Sequence, residues 1–190
     1  MFDGAKVEEV KSDNVDIQEA RIRAFLRMLR DGEGTISEPG YETLFGGESF
    51  IKDYGKDWSD HPNIKIKRGK LKSSAAGAYQ VMHYTWTDEM MISYRKKYGI
   101  KDFSPESQDL FGVVLLKHKR ASGWELIKSG KIKSALDVYS YEWASLPPPR
   151  YGQPVNDLET CLKLFDKFLS EEKKGKSPLH LKKGFLKTFE

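Results

Sequence analysis

The chain has 190 residues, of which 38% are hydrophobic and 12% aromatic, and its 32 Lys and Arg against 28 Asp and Glu give a formal charge of +4. This length suits one domain with a substantial core, and the aromatic content is too high for a disordered segment. Apolar runs are only a few residues long. They fall far below the roughly 20 residues that a membrane span needs, so no transmembrane helix is expected.

The N-terminal segment is charged throughout and lacks the apolar stretch and cleavage site of a secretory signal, so we expect synthesis in the cytoplasm. The single cysteine, Cys161, excludes an internal disulfide framework and a cysteine-based zinc site. Its place on an apolar helix face predicts that it packs in the core. The four histidines show no metal-ligand spacing, so the sequence predicts no metal and no other cofactor.

The charge of +4 is mild and no RNA- or DNA-binding motif accompanies it, so no nucleic-acid partner is expected. A basic surface suits an anionic partner such as a cell-wall polymer or a lipid headgroup. The sign of the charge alone does not choose between these two. A monomer is the default expectation for a domain of this size.

The first strong helical pattern begins at Asp16, after a polar segment, residues 1–15, that we expect to be flexible. Asp16, with Glu19 three residues later, matches a capping box, and apolar residues follow at helical spacing. Gly32 and Gly34 end the helix and bracket Glu33, because glycine has the backbone freedom that a helix exit requires. Four basic residues are predicted largely on the solvent side of this helix: Arg21, Arg23, Arg27 and Arg30.

The pattern changes between about residues 37 and 72. Glycine-rich turns are followed by the alternation Ile64-Lys65-Ile66-Lys67 and then by Arg68-Gly69-Lys70. Alternation with a period of two next to turns is typical of β-strands, so this region is predicted to form a small, irregular β-hairpin flap.

Helical patterns resume after the flap. One helix is predicted from Ser74 to a stop at Gly99, and Ser104 followed by Pro105 indicates the start of another that ends before Gly123. Shorter helices fit residues 124–128 and 131–145. Three consecutive prolines, residues 147–149, then begin a loop.

Asp157 is a candidate N-cap for a last helix that ends near Gly175. Residues 16–175 are therefore interpreted as one α+β unit, a mostly helical body that carries the flap. Residues 176–190 form a basic amphipathic tail. This tail either lies on an anionic membrane surface, such as an outer membrane, or packs its apolar side chains on the domain.

Glu33 is the candidate catalytic residue. At the C-terminal end of a helix, the negative end of the dipole and the exposed carbonyls penalise an ionised carboxylate. Partial burial acts in the same direction, so we expect a raised pKa for Glu33. A glutamic acid that is protonated near neutral pH is what a glycosidase needs to protonate a leaving sugar oxygen. An ordinary exposed glutamate at a helix end fits the same features.

Separate blocks of sequence point further: RAFLRML at 23–29, EGT at 33–35, GY at 40–41, LFGG at 44–47, DY at 53–54, SDHP at 59–62, SAAGAYQ at 74–80, DFSPESQD at 102–109, WASLP at 143–147 and YGQ at 151–153. In this order they resemble the endolysin family of phage lambda over roughly residues 20–155. Several blocks in the right order are far more specific than one motif.

The resemblance implies a lysozyme-like fold in which the β-hairpin flap forms one wall of the substrate cleft. It also implies cleavage of the β-1,4 bond between N-acetylmuramic acid and N-acetylglucosamine in peptidoglycan. Members of that family are lytic transglycosylases, which use no water. The 6-hydroxyl of the muramic acid attacks its own anomeric carbon and gives a 1,6-anhydro product. Glu33 matches the family's catalytic acid.

Positions in the matching blocks predict five substrate-binding residues: Tyr41, Tyr79, Gln80, Tyr151 and Gln153. The amide of Gln80 can bond sugar acetamido or hydroxyl groups, and Tyr79 offers a ring with a polar tip. Structural roles fit Tyr41 and Tyr79 at least as well. His61 is expected to hold a loop in place rather than to take part in catalysis.

Two other functions stay open at this point. A hydrolytic muramidase would need a second carboxylate, and the flap offers four: Glu42, Glu48, Asp53 and Asp60. A catalytically inactive wall-binding or phage structural module would keep the same fold.

The chain also departs from the family's pattern in three places. Residues 55–58 are an insertion, Pro39 stands where histidine is common, and Ala78 stands where arginine is usual. These differences leave the acid in place and put the sugar subsites in doubt. An enzyme of this kind, made in the cytoplasm, is expected to reach the wall once a separate factor permeabilises the inner membrane.

Overall fold

The computed structural model describes the backbone from residue 4 to residue 190 and the side chains from residue 16 onward. The chain divides into two compact units. The first unit contains the initial helix up to Met28, together with Arg120–Ser177 and Leu181–Glu190. The second unit contains Leu29–Lys119 and Pro178–His180.

The first unit is helical. Helix α1 (Gly4–Gly32) contributes its residues up to Met28, and α5 (Ala121–Lys128), α6 (Ile132–Tyr139), α7 (Leu158–Lys173) and a closing 3-10 turn (Phe185–Phe189) complete the unit. Fully buried apolar side chains from these elements form its core, among them Phe25, Ile127, Leu136, Tyr139 and Leu186. Cys161 is also buried, which confirms its predicted place in the core.

The arginines of α1 are less exposed than the helical pattern predicts. Arg23 pairs with Glu19 at 3.1 Å and donates to the Leu181 carbonyl, and it is buried. Arg27 is buried as well and forms ion pairs with Glu171 and Glu172. The prediction of a solvent-exposed arginine face was therefore wrong, because α7 and the C-terminal segment cover this face within the unit.

The C-terminal segment packs on the protein. Its five large apolar side chains, Leu179, Leu181, Phe185, Leu186 and Phe189, are all buried, whereas its lysines are exposed. An interfacial helix needs its apolar face free to enter the lipid. The alternative in which residues 176–190 lie on an anionic outer-membrane surface through these side chains was therefore wrong.

The second unit holds the predicted flap and the remaining helices. A 3-10 turn (Glu38–Glu42) leads to strands β1 (Ile66–Arg68) and β2 (Leu71–Ser73), and helices α2 (His83–Trp86), α3 (Glu89–Lys97) and α4 (Pro105–Val114) follow. Residues 115–119 continue α4 as a π-helical turn. The two strands pair antiparallel in the register Ile66–Ser73, Lys67–Lys72, Arg68–Leu71, which confirms the hairpin. A mostly helical α+β protein is thus what the chain forms.

Several element boundaries differ from the predicted ones. Helix α1 begins at Gly4, so Asp16 lies inside the helix and is not its cap. The predicted flexible segment falls on residues 1–3, which lie outside the described residues, and on 4–15, whose side chains do too. The predicted helix from Ser74 to Gly99 is split, because Ala76 and Val81 form a β-bridge and Asp88 caps a new helix.

The other predicted caps agree with the structure. The Ser104 hydroxyl accepts from the Ser107 amide, and Asp157 accepts from the Thr160 amide. Helix α6, however, ends at Tyr139 rather than at residue 145. Across the described part of the chain, no helix combines the length and the apolar character that crossing a membrane requires.

Candidate active site

Glu33 lies at the C-cap of α1, in a turn of defined geometry. The Thr35 amide donates to the Arg30 carbonyl at 2.8 Å and the Gly34 amide to the Asp31 carbonyl at 3.0 Å. This pair of bonds is the Schellman motif. Gly34 occupies its left-handed position with φ +71°, where an L side chain is strained. Gly34 therefore ends the helix as predicted, whereas Gly32 is its last helical residue. The Glu33 side chain is half-buried.

Side-chain bonds hold the segment that follows this turn. Arg30 is 1% exposed, and its guanidinium donates to the carbonyls of Thr35 and Ser37 at 2.8 to 3.0 Å. The Thr35 hydroxyl donates to the Ala78 carbonyl at 2.5 Å. A Cβ on Gly40 would lie 2.0 Å from the Thr35 carbonyl oxygen, so only glycine fits this close approach. The bonds of Arg30, the Thr35–Ala78 bond and the close contact with Gly40 together hold the backbone after the turn.

A fully buried carboxylate, Asp109, lies at the centre of a hydrogen-bond network in the same unit. One of its oxygens accepts from the Tyr79 hydroxyl at 2.7 Å. The other accepts from the Tyr41 hydroxyl at 2.8 Å and the His180 amide at 2.7 Å. Arg30 donates to the Tyr41 hydroxyl at 2.9 Å and so connects this group to the end of α1. We call these five residues the support network.

Burial sets the electrostatics of the support network. It raises the pKa of Asp109, while the bonds from Tyr79, Tyr41 and the His180 amide, and the charge of Arg30, act against the rise. Asp109 is the acceptor in all three of these hydrogen bonds, and this stabilises the ionised form of its carboxyl group. Burial beside Asp109 also raises the pKa of Tyr41 and of Tyr79. Both hydroxyls therefore stay protonated and remain donors.

Tyr41 and Tyr79 do not face a substrate. Each is 1% exposed, and each hydroxyl is already bonded to Asp109. The expectation that these two residues contact sugar is corrected on this ground: they support the segment after Glu33 instead. The sequence argument missed Asp109 itself. An acidic residue directly before the apolar run 110–116 was the available signal.

Gln80 is half-buried and adopts a positive φ of +47°. Its amide nitrogen donates to the carbonyls of Thr43 and Gly77 at 3.1 and 3.0 Å, so it is committed to the protein. Within the described residues, its Oε1 accepts no hydrogen bond. Contact between this oxygen and a sugar stays a prediction.

Tyr151 and Gln153 belong to the other unit, on the loop after the prolines. Both are exposed, and the Tyr151 hydroxyl donates to the Tyr141 carbonyl at 2.9 Å. The Arg150 guanidinium lies 3.7 Å from the centre of the Tyr141 ring. The loop is thus held by its own residues, and substrate contact by Tyr151 and Gln153 stays a prediction.

The four acidic side chains of the flap are engaged by neighbouring donors. The pairs are Glu42 with Lys52, Glu48 with Arg68 and Tyr54, Asp53 with the Ser49 amide, and Asp60 with the His61 amide and the Trp86 indole. Each carboxylate therefore has a structural role that explains its presence.

His61 is buried and fastens the flap. Its Nδ1 accepts from the Asn63 amide at 3.1 Å, so its Nε2 carries the proton and donates to the Val81 carbonyl at 2.7 Å. Burial lowers the pKa of His61 to about 4, with His83 and Arg95 adding to the effect. The imidazole is neutral at physiological pH, in agreement with the predicted loop-holding role.

Similarity to known proteins identifies the family. The family model described as Endolysin matches residues 23–171. The chain belongs to the endolysin family. Its members' role, lysis of the bacterial cell wall by cleavage of glycosidic bonds in peptidoglycan, is the role of this protein. Among the described residues, no cluster of three or more His, Cys, Asp or Glu could hold a metal ion.

Individual endolysins align over most of their length. The chain is 41% identical to the endolysin of Escherichia phage lambda over 158 residues, covering 80% of this chain and 92% of that protein. It is 35% identical to the endolysin of Escherichia phage P2 over 150 residues, covering 73% and 86%. The solved structure of bacteriophage lambda lysozyme complexed with a chitohexasaccharide matches with TM-score 0.66 and 36% identity, covering 78% and 94%. The fold is therefore lysozyme-like.

Proposed function

We propose that this endolysin cleaves the β-1,4 bond between N-acetylmuramic acid and N-acetylglucosamine as a lytic transglycosylase, with Glu33 as its general acid and base. Glu33 at the C-cap of α1 is the observation that carries the proposal. The solved lambda lysozyme that matches this chain is complexed with a chitohexasaccharide, a chain of the same type of sugar. An oligosaccharide is therefore a suitable ligand class for the site around Glu33.

The reaction uses one carboxyl group twice. The Glu33 carboxyl donates its proton to the glycosidic oxygen as the bond to the muramic anomeric carbon breaks. The resulting carboxylate then accepts the proton of the muramic 6-hydroxyl as O6 bonds to the same carbon. The products are a free 4-hydroxyl on the leaving sugar and a 1,6-anhydro muramic end. No water is consumed and Glu33 ends in its starting form.

The position of Glu33 suits both steps. We expect the carbonyls at the end of α1 to favour the protonated carboxyl before cleavage, because the C-terminal end of a helix carries partial negative charge. After cleavage, the same carbonyls make the carboxylate a better base. The Schellman turn and the support network hold the backbone of Glu33, so the proton is delivered from a fixed position.

A hydrolytic muramidase is the alternative mechanism. It needs a second carboxylate at a defined separation from the acid, to activate water or to attack the anomeric carbon. The engagement of Glu42, Glu48, Asp53 and Asp60 by protein donors favours the single-acid mechanism.

Mass spectrometry of digested peptidoglycan tests the mechanism directly. Wild-type protein should release fragments with 1,6-anhydro ends, each lighter by one water than the product of hydrolysis. Glu33→Gln should keep the fold and lower the rate by about 10²–10⁴-fold, since it cannot donate or accept the proton. Reducing ends without anhydro species would establish hydrolysis instead.

Glu48→Gln is the matched control. Like Glu33→Gln, it replaces one carboxyl group by an amide. The cleavage rate of this variant should be within about threefold of the wild-type rate, since Glu48 takes no part in proton transfer. A loss comparable to that of Glu33→Gln would assign Glu48 to the mechanism as a second carboxylate. Binding to peptidoglycan by the wild type without release of fragments would indicate an inactive wall-binding module.

We also propose that the protein is made in the cytoplasm and acts on the wall after a separate factor opens the inner membrane. The absence of a membrane-spanning helix among the described residues is compatible with this order of events. Peptidoglycan is the proposed partner, and a monomer suffices because Glu33 and its support come from one chain.

A further inference from the structure

A hairpin in the flap carries a dense cluster of basic residues with no acidic residue among them. Between Asp60 and Asp88 there is no acidic residue, whereas five basic residues lie at positions 65, 67, 68, 70 and 72. Without these five, the chain would have 27 basic and 28 acidic residues and a net charge near zero. We call residues 65–72 the basic hairpin, because five of its eight residues are basic.

Four of these charges are free for an external partner. Arg68 pairs with Glu48 at 3.6 Å, but no ion pair within the described residues involves the four lysines, Lys65, Lys67, Lys70 and Lys72. All four lysines are exposed. The acidic residues nearest in sequence, Asp60 and Asp88, accept hydrogen bonds from other groups of the unit. Within the described residues, the four lysines are therefore not neutralised by a carboxylate.

The register adds an unfavourable contact. Lys67 lies directly opposite Lys72 across the two strands, and Ile66 on the other face is buried. Like charges in directly opposed positions destabilise a strand pair. The Lys67–Lys72 pair therefore does not stabilise these two three-residue strands. We take its presence to indicate that the lysines recognise an anion.

The basic hairpin is tied to the segment that holds Glu33. Ala78 is the fifth residue after Ser73, the end of β2, which is at most about 18 Å of chain. The Ala78 carbonyl accepts the hydroxyl of Thr35, which is two residues after Glu33. The lysines and the proposed acid therefore belong to one unit and are linked by a short stretch of chain and one hydrogen bond.

We propose that the basic hairpin binds the free carboxylates of the peptide stems of peptidoglycan, and so selects the charged wall polymer over neutral glycan. The proposal rests on the proposed function and names the part of the substrate that the hairpin recognises. Peptide stems are attached to N-acetylmuramic acid, beside the bond to be cleaved, and bear carboxylates that complement ammonium groups. A lipid surface fits less well, because the hairpin exposes only Leu71 as a large apolar side chain to insert.

A binding experiment on intact sacculi tests the proposal, using the full chain with Glu33→Gln so that the wall is not digested. The hairpin variant changes Lys65, Lys67, Lys70 and Lys72 to Gln. The control variant changes four exposed lysines of the other unit to Gln: Lys133, Lys173, Lys174 and Lys183. Both variants lose four positive charges. A difference in binding between them therefore reports where the lysines lie, not how much charge was removed. Thermal unfolding shows that each variant is folded.

At low salt, the protein concentration for half-maximal binding should be about tenfold higher for the hairpin variant than for the parent. For the control variant, this concentration should differ from the parent's by less than about threefold. The difference should disappear on sacculi whose carboxyls have been amidated, and in about 1 M salt, where charges are screened beyond roughly 3 Å. Equal losses in the two variants, or a loss that persists on amidated sacculi, would overturn the proposal.

Phosphatidylglycerol vesicles form the second arm. Loss of vesicle binding by the hairpin variant, with unchanged binding to sacculi, would assign the hairpin to a lipid surface and overturn the proposal. The result is independent of the reaction mechanism, because binding is read without bond cleavage. Product analysis reports failure of the proposed function separately.

Discussion

The support network and the basic hairpin are two polar regions of the same unit that treat charge in opposite ways. In the support network, Asp109 is fully buried and receives three hydrogen bonds from neighbouring donors. In the basic hairpin, Lys67 and Lys72 are exposed and face each other. The first region has its partners inside the protein, whereas the four lysines of the second form no ion pair within the described residues.

This contrast indicates that one region positions the proposed catalytic residue and the other recognises the substrate. A buried polar group must be satisfied by the fold, so Asp109 fixes the geometry around it, and its full burial keeps it away from a ligand. An exposed lysine costs little and keeps its charge available to a partner. The support network is therefore expected to control stability and the placement of Glu33, while the hairpin controls affinity for charged wall.

The largest expected effect on stability comes from Asp109→Ala. The change leaves the hydroxyls of Tyr41 and Tyr79 and the His180 amide without their buried acceptor, and it leaves Arg30 without a nearby negative charge. We expect a loss of about 3–5 kcal/mol in the free energy of unfolding, measured by urea denaturation.

Asp102→Ala is the control for that measurement. Asp102 is half-buried and accepts from Ser104 and Ser107, so its removal should cost only about 1 kcal/mol. If Asp109→Ala cost no more than this control, the support network would not be the stabilising centre that its geometry indicates.

The flap contains a buried titratable group of its own, which gives the second prediction. The pKa of His61 is about 4 in the folded protein, below its ordinary value of 6.5. The stabilising effect of a neutral His61 is complete above pH 6.5. It is lost as the pH falls toward 4, because the unfolded chain takes up the proton first. The loss should reach about 3 kcal/mol.

Unfolding of wild type and His61→Gln at several pH values measures this effect. We expect the variant to be less stable at neutral pH, but its stability should fall less steeply between pH 6.5 and pH 4, since it has no imidazole to protonate. Parallel curves for the two proteins would show that His61 does not cause the acid sensitivity of the flap.

Local signals predicted some of these features and not others. The helix end at Gly34 and the caps at Ser104 and Asp157 depend on residues near in sequence, and the structure confirms them. The support network joins residues from four distant parts of the chain, so no local pattern could reveal it. Tyr79 was predicted at the substrate for that reason: its motif was visible, but its partner 30 residues away was not.

The exposure of the arginines on α1 was mispredicted for the same reason. Helical periodicity identifies the apolar side of a helix but not what covers its polar side. Arg27 is covered by Glu171 and Glu172, more than 140 residues later. The buried ends of long-range ion pairs cannot be distinguished from solvent-exposed charges by sequence spacing alone.

The smallest expected effect comes from His180, which lies beyond the part of the chain that the family model matches. Its ring meets Tyr41 edge-on at 5.1 Å and bonds the exposed Glu38, while its backbone amide donates to buried Asp109. His180→Ala keeps the amide and removes only the ring, so it should cost about 0.5–1 kcal/mol. His180→Pro also removes the amide donor and should cost about 1–3 kcal/mol. Urea denaturation of the two variants compares these contributions. Equal losses would mean that the ring, and not the bond to Asp109, attaches this segment to the support network.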